Sequence, residues 1–160
     1  MNWNLYTSLE GRISRKTYWL WFFVPIGVTR VLANVVDLSL GYDLWKEAGP
    51  VSVIQFLLTL WPGVAGWVKR LHDLDITGKY VAGFFGFSVP AIALLVMGIR
   101  SESGGLIAVA LIPWFGYLIC LFIATGFLRG TQGPNRYGTD PLEESLNNDP
   151  PTPSPAGPYA

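Results

Sequence analysis

His72 is the only histidine in the chain, and it stands in "VKRLHDLDITGKYV" between Arg70 and Asp73. A histidine beside a carboxylate has the ingredients of an acid–base pair or a pH sensor. Adjacent residues on a helix, however, do not face each other. No sequence-near serine, cysteine or second histidine completes a triad. A metal centre needs three or four ligands, and one histidine with Cys120 is too few. No glycine loop followed by a phosphate-binding lysine is present. Asp73 or Asp75 could instead cap the following turn, with "TGK" supplying a flexible glycine. His72 therefore reads as a hydrogen-bonded structural residue, a headgroup or partner contact, or a catalytic group, in that order. No enzymatic activity, metal ion or cofactor is expected.

The elements that position this stretch are apolar. The chain is 51% hydrophobic and 14% charged, with zero formal net charge and a mean hydropathy of +0.37. Soluble domains carry about 25% charged residues. Neutrality gives no bulk attraction to nucleic acid, and none is expected as a partner. A lone Cys120 in an apolar run excludes an internal disulfide.

Four stretches reach the roughly 20 residues that cross a bilayer. They are predicted at about 17–36, 51–68, 80–99 and 105–128 and are apolar around most of their circumference. A soluble core helix would show a narrower stripe. The first stretch is long for a cleavable signal sequence and lacks a small-residue cleavage pattern, so it reads as retained. The expectation is an all-α, integral membrane four-helix bundle over 1–140, with the lipid bilayer as its solvent. The tail from Pro141 holds six prolines in twenty residues. It is expected to be disordered, since it has too little apolar surface to bury.

Charge sets the predicted orientation. Of eleven Lys and Arg, eight lie in the N-terminal segment, the loop between the second and third spans, and the segment after the fourth; Lys46 and Arg100 occupy the other two loops. Cytoplasmic loops retain basic residues, so both termini and the middle loop are predicted to be cytoplasmic. Tyr18, Trp19, Trp67 and Tyr80 on that side, and Tyr42 and Trp45 on the other, suit the headgroup level.

The N-terminal segment repeats Trp3, Tyr6, Leu9 and Ile13 at helical spacing, which fits a short interfacial helix or a plain polar leader. The outer loop Asp37–Pro50, with Leu38, Leu40, Leu44 and Trp45, could dip into the interface. Pro25, Pro62, Pro90 and Pro113 fall one to each span, where kinks are expected. Gly63 with Gly66, and Gly83 with Gly86, could allow close helix approach. Arg30 is the charge inside a span. It lies six residues from the outer end, about 9 Å, and can snorkel. Asn34 and Asp37 share its face and could accept from it.

After the fourth span, "RGTQGPNRYGTDP" is glycine- and proline-rich and stiff. It is predicted to fold back beneath the bundle and bring Arg136 to Asp73 or Asp75.

Three segments together resemble the bacterial domain-of-unknown-function family 805, small inner-membrane proteins. "GRISRKTYW" is similar to that family's GRxxRxxYW lead-in to the first span. "KRLHD" is similar to its RRLHD motif, with Lys69 in the first position. "GTQGPNRYGTDP" resembles its GTxGPNRYGxDP ending. Asp75 stands where the family usually has glycine, and Lys79-Tyr80 where it has an aromatic pair. The resemblance implies the fold and a bacterial inner-membrane location; the family has no established activity to carry over.

All three segments fall on the side assigned to the cytoplasm. They define a candidate polar surface of Arg12, Arg15, Arg70, His72, Asp73, Asn135, Arg136 and Tyr137. Charge-assisted hydrogen bonds among these could lock helix ends together. Anionic lipid headgroups, a membrane protein partner or self-association are the other uses. Arg30 and Asn34 are the candidate intramembrane polar residues. The leading expectation is a non-enzymatic scaffold or partner-binding membrane module. The alternative is a small transporter or channel component, but polar residues for a path are scarce beyond Arg30, Asn34, Gln55 and Thr59.

Overall fold

The computed structural model describes residues 3–43 and 46–143. Apolar runs become helices here because lipid offers no partner for backbone N–H and C=O groups, which must bond within the segment. After a short α1 (Asn4–Thr7), the first span opens as α2 (Arg15–Tyr18), widens into a π turn (Trp19–Phe23) and continues as α3 (Val24–Ser39). Then follow α4 (Pro50–Asp73), α5 (Lys79–Arg100) and α6 (Gly104–Gly126). Arg15–Ser39 and the last three helices are each long and apolar enough to cross a membrane. These four helices overlap the stretches 17–36, 51–68, 80–99 and 105–128, with shifted ends. The largest shift is in α4, which runs through Lys69, Arg70, His72 and Asp73. "KRLHD" is a last helical turn, not part of a loop, because its side chains find partners on neighbouring elements.

Local chemistry explains the boundaries. Ser14 caps α2 by accepting from Thr17 N at 3.2 Å, and Ser103 caps α6 towards Leu106 N. Pro25 has no N–H to return to the preceding turn. The chain reaches it through the π turn, where Val24 N–H bonds Trp19 O. Pro25 therefore sits at the start of α3, whereas Pro62, Pro90 and Pro113 lie inside their helices.

Three helices end in the same reversal. Residue C′ is left-handed, and the next N–H bonds the carbonyl five residues back. After α3 this is Gly41 (φ 90°), after α4 Asp75 (φ 59°) and after α5 Glu102 (φ 53°). The closing bonds are Tyr42 N–Asp37 O at 3.1 Å, Ile76 N–Leu71 O at 2.9 Å and Ser103 N–Gly98 O at 2.9 Å. Asp75 thus terminates α4 rather than capping α5. Glu102 is the costliest of the three: a residue with a Cβ pays about 1 kcal/mol there, and the short polar side chain of Asp tolerates the left-handed region better than Glu does. Glu102→Gly is expected to stabilise the protein by about 0.5–1 kcal/mol, read as a higher Tm in detergent micelles. An unchanged or lower Tm would contradict the left-handed assignment.

Packing makes two antiparallel hairpins, α3 on α4 and α5 on α6, with fewer contacts between them. Gly66 lets Phe22 close on α4, since a Cβ there would sit 2.7 Å from the ring. The core gathers towards one end, which also holds α1, the α4–α5 loop and the segment after α6. Val68, Leu71, Val81, Phe84 and Leu121 form one cluster, and Ile13, Tyr18 and Phe22 another. Of the expected N-terminal helix only Asn4–Thr7 is helical; Ile13 instead packs into the second cluster. Elsewhere the pattern of a soluble protein is inverted. Leu58, Val89 and Ile112 are 70% or more exposed, while Arg70 and Asp37 are fully buried. Such a surface is stable only against lipid or other apolar protein.

The expected outer loop begins later than Asp37, because α3 continues to Ser39. Of the four residues on which its contact with the interface rested, Leu38 and Leu40 are exposed at the end of α3, and Leu44 and Trp45 lie outside the described residues. So does the expected disorder of the tail, except that Pro141–Glu143 form one helical turn.

Candidate functional site: a polar knot at one end of the bundle

Asp73 is the centre of the site. It closes α4, and its carboxylate meets two guanidinium groups. Arg12 donates Nε (3.1 Å) and Nη2 (3.0 Å) to Oδ1. Arg70, one turn earlier on the same helix, donates Nη1 to Oδ2. The side chains of Arg12, Arg70 and Asp73 are 1%, 0% and 6% exposed. A buried carboxylate between two cations is tolerable only when the charged groups are hydrogen-bonded, and here both carboxylate oxygens and all six guanidinium nitrogens have a partner. Arg12 uses its remaining donors on the carbonyls of Thr131 (2.6 Å), Gly133 (2.7 Å) and Gly138 (3.3 Å). All five guanidinium N–H groups are then engaged. Among the described residues no buried side-chain nitrogen or oxygen lacks a partner.

The knot also solves the end of α6, where the last carbonyls have no intrahelical donor. Four successive carbonyls are taken by side chains. Arg70 Nε bonds Thr125 O at 2.8 Å, Trp19 Nε1 bonds Gly126 O at 3.0 Å, and Arg15 Nη1 bonds Phe127 O at 3.1 Å. Arg70 Nη2 bonds Leu128 O. Cations at a helix C-terminus also complement its dipole. Lys69 does the same for α1, donating Nζ to Asn4 O (2.7 Å) and Leu5 O (2.9 Å).

The segment after α6 returns beneath the bundle. Thr131 donates N–H (2.8 Å) and hydroxyl (3.1 Å) to Asp73 O. Asn135 Nδ2 donates to His72 O (2.9 Å) and Thr131 Oγ1 (2.9 Å), and its Oδ1 accepts Tyr137 N (2.8 Å). Gly130 permits this approach, because a Cβ there would lie 2.0 Å from Asp73 Oδ2. Arg136 pairs with Asp75, Nε to Oδ1 at 3.0 Å, and not with Asp73, which Arg12 and Arg70 already saturate. Its guanidinium carbon stands 5.0 Å from the Tyr137 ring centroid. Tyr137 stacks on His72 with centroids 3.8 Å apart and planes 3° from parallel. His72 Nδ1 lies 3.2 Å from Gly11 O. A carbonyl only accepts, so Nδ1 carries the proton. His72 thus faces Tyr137 and Gly11, not the adjacent Asp73 carboxylate.

Asp140 closes the return by accepting Gly133 N and Leu142 N, both at 3.0 Å. The Leu142 N–H first, then that of Gly133, with Arg12 and Arg129 adding positive potential, outweigh burial and hold its carboxyl below the usual carboxylate range.

All eight residues of the candidate surface converge at this end. Sequence reasoning missed Thr131, Gly130, Trp19 and Lys69 as members. Gly130 and Thr131 lie inside the "GTQGPNRYGTDP" segment and were there to be found; Trp19 and Lys69 act on backbone carbonyls that no sequence pattern marks. Among the described residues no three His, Cys, Asp or Glu side chains converge as metal ligands would.

Arg30 and Asn34 lie away from the knot. Among the described residues Arg30 hydrogen-bonds neither Asn34 nor Asp37; its Nη1 donates to Ser52 O at 2.9 Å. Asp37 is occupied elsewhere, accepting Val51 N (3.0 Å) and Ser52 N (2.8 Å) at the start of α4. Gln55 Nε2 contacts Thr29 Oγ1 (3.2 Å) and Thr59 Oγ1 (3.3 Å) between α3 and α4.

Four apolar helices tied at one end by a saturated charge knot define a multi-pass helical membrane protein. The chain belongs to the family described as protein of unknown function DUF805, whose model matches residues 6–139. It is 30% identical over 137 residues to inner membrane protein YhaI of Escherichia coli K12, covering 85% of this chain and 87% of that one. It is also 30% identical over 149 residues to inner membrane protein YhaH of the same organism, covering 90% and 99%. The uncharacterized protein YiiR of that organism is 30% identical over 140 residues, covering 83% and 85%. No solved structure matches the chain.

Proposed function

We propose that the chain is a non-enzymatic scaffold of the bacterial inner membrane, with both termini and the knot on the cytoplasmic side. The observation that carries this reading is the saturation of Arg12, Arg70 and Asp73. Groups in which every side-chain nitrogen and oxygen is bonded, buried against backbone, fasten helix ends and are poorly placed for chemistry. The positive-inside charge bias supports the orientation. Arg136, Asn135, Tyr137 and His72 form the outer layer of the knot, and we assign the partner contact to them, with the exposed Arg136 guanidinium as the charged element. Arg12 holds the returning segment through the carbonyls of Thr131, Gly133 and Gly138, and Arg15 ties the end of α6 to the first span.

The alternative, a transporter or channel component, would need a polar path. Thr29, Gln55 and Thr59 bond one another between α3 and α4, and Arg30 bonds a backbone carbonyl, so a path would require several copies. The test is a pair of measurements on the full chain. Copurification from native membranes is expected to yield a defined partner or a second copy, and Arg136→Gln with Tyr137→Ala is expected to weaken that association at least about tenfold. Ion flux in proteoliposomes is expected to equal that of empty vesicles. Flux through the wild-type chain, or an association indifferent to Arg136 and Tyr137, would sink the scaffold reading.

A further inference from the structure

We infer that an anionic phospholipid binds along the seam between the first span and α6, its phosphate held by Lys16 and Arg129 and one acyl chain lying in the cleft beside Gly27. A cavity of about 450 Å³ opens at the knot end between the start of α2 and the returning segment. Its rim carries Arg15, Lys16 and Arg129, all exposed. Two carboxylates also line it, and Asp140 offsets part of the Arg129 charge, but the three rim cations outnumber that one carboxylate and Asp73 is already balanced. Asp73 is held by Arg12 and Arg70, and both Asp140 oxygens accept backbone N–H groups. Arg15 is partly committed to Phe127 O. Among the described residues Lys16 and Arg129 have no salt bridge and no hydrogen bond through their side chains. They are therefore the cations left for an external anion.

A second cavity, about 530 Å³ and lined almost wholly by apolar groups, lies deeper between the first span and α6, with Gly63 and Trp67 of α4 also lining it. Phe23, Gly27, Ile119 and Phe122 form its walls, with Phe23 and Ile119 exposed; Arg30 also lines it, its Nη1 turned to Ser52 O. Trp19, between Lys16 and Phe23 along the first span, packs its ring 6.1 Å from Phe122 and 5.8 Å from Phe127. Its indole N–H is already bonded, so it presents an apolar face. Lys16 to Gly27 spans about 16 Å of helix at 1.5 Å per residue, the reach of a phospholipid from phosphate into its acyl chain. Positive charge at the headgroup level above a lipid-open apolar cleft is the pattern that an anionic phospholipid complements and a soluble phosphate only half fills. The inference does not rest on the scaffold reading, and its test does not involve a protein partner.

The experiment follows thermal unfolding of the full chain in a neutral detergent, titrated with phosphatidylglycerol, phosphatidylcholine or inorganic phosphate. A ligand that binds only the folded state raises Tm. Phosphatidylglycerol is expected to raise it at lower concentration than phosphatidylcholine, and inorganic phosphate not at all. K16Q with R129Q is expected to raise the half-saturating phosphatidylglycerol concentration about 10- to 30-fold, with lipid-free Tm and the phosphatidylcholine response unchanged. The single substitutions give the same comparison if the double variant is less stable without lipid. Gly27→Leu leaves the cations intact but fills the cleft, having no neighbour within 4 Å of its Cβ to clash with; it too is expected to weaken the phosphatidylglycerol response. Equal responses to the two lipids, a K16Q/R129Q variant with the wild-type half-saturation, or a full effect from inorganic phosphate would each overturn the inference.

Discussion

Asp73→Ala is expected to cost about 3–5 kcal/mol of stability, which is most of the margin of a protein whose total is about 5–15 kcal/mol. The substitution removes more than a contact. It leaves Arg12 Nε, one of the two Arg12 Nη2 N–H groups and Arg70 Nη1 without an acceptor at positions where the two guanidinium groups are almost wholly buried. With the carboxylate gone the two cations also repel each other across a site with little water to screen them. Unfolding of the purified protein in mixed micelles measures the loss. Asp73→Asn keeps one carbonyl oxygen as acceptor and should fall between alanine and wild type. A double-mutant cycle gives the sharper result. Arg12→Met in the Asp73→Ala background removes one of the stranded charges, so the two losses should be strongly less than additive. Additive losses would mean that the knot does not act as a unit, and the fastening role assigned to it would fail.

At the opposite end, Asp37→Ala is expected to cost about 2 kcal/mol or more. Asp37 is in the last turn of α3, yet it serves as the N-terminal cap of α4. Its two oxygens accept the first free N–H groups of that helix, those of Val51 and Ser52, and its charge faces the positive end of the helix dipole. The residue is fully buried, so water cannot replace those bonds. Gly49→Ala probes the same junction by another route, since its Cβ would sit 2.1 Å from Asp37 Cγ. Relief requires the cap to move, so both variants should loosen the α3–α4 hairpin while the knot is left intact. The expected signature is faster hydrogen exchange confined to the C-terminal end of α3 and the N-terminal end of α4. A wild-type unfolding curve for Asp37→Ala would show that the cap carries little of the hairpin's stability.

Both predictions concern residues that the sequence presents differently. Asp73 announces itself through "KRLHD" and its charged neighbours. Its partner Arg12 lies 61 residues away, though, and that pairing cannot be seen without the fold. The anticipated return of the C-terminal segment brought Arg136 within reach of two carboxylates, and competition decided between them. Two arginines already held Asp73, so Arg136 went to Asp75. Asp37 sits at the predicted margin of the first span and reads there as an ordinary loop carboxylate or an acceptor for Arg30. Only the placement of Gly49 and Val51 against it turns it into a cap. His72 gave the strongest chemical suggestion of any residue, and the structure directs its ring to Tyr137 and the Gly11 carbonyl.

The sequence by itself determined the number and approximate extent of the spans, the helical class, and the gathering of charge in three segments. Hydropathy and charge are additive along the chain, and a bilayer reads them segment by segment. The tertiary structure alone decided which charges are buried and what each is bonded to. Most of the acceptors in the knot are backbone carbonyls, at Thr125, Gly126, Phe127, Leu128, Thr131 and Gly133. Every residue has such a carbonyl, so nothing in the residue types marks these six. They become sites only when helix packing brings a particular donor within about 3 Å.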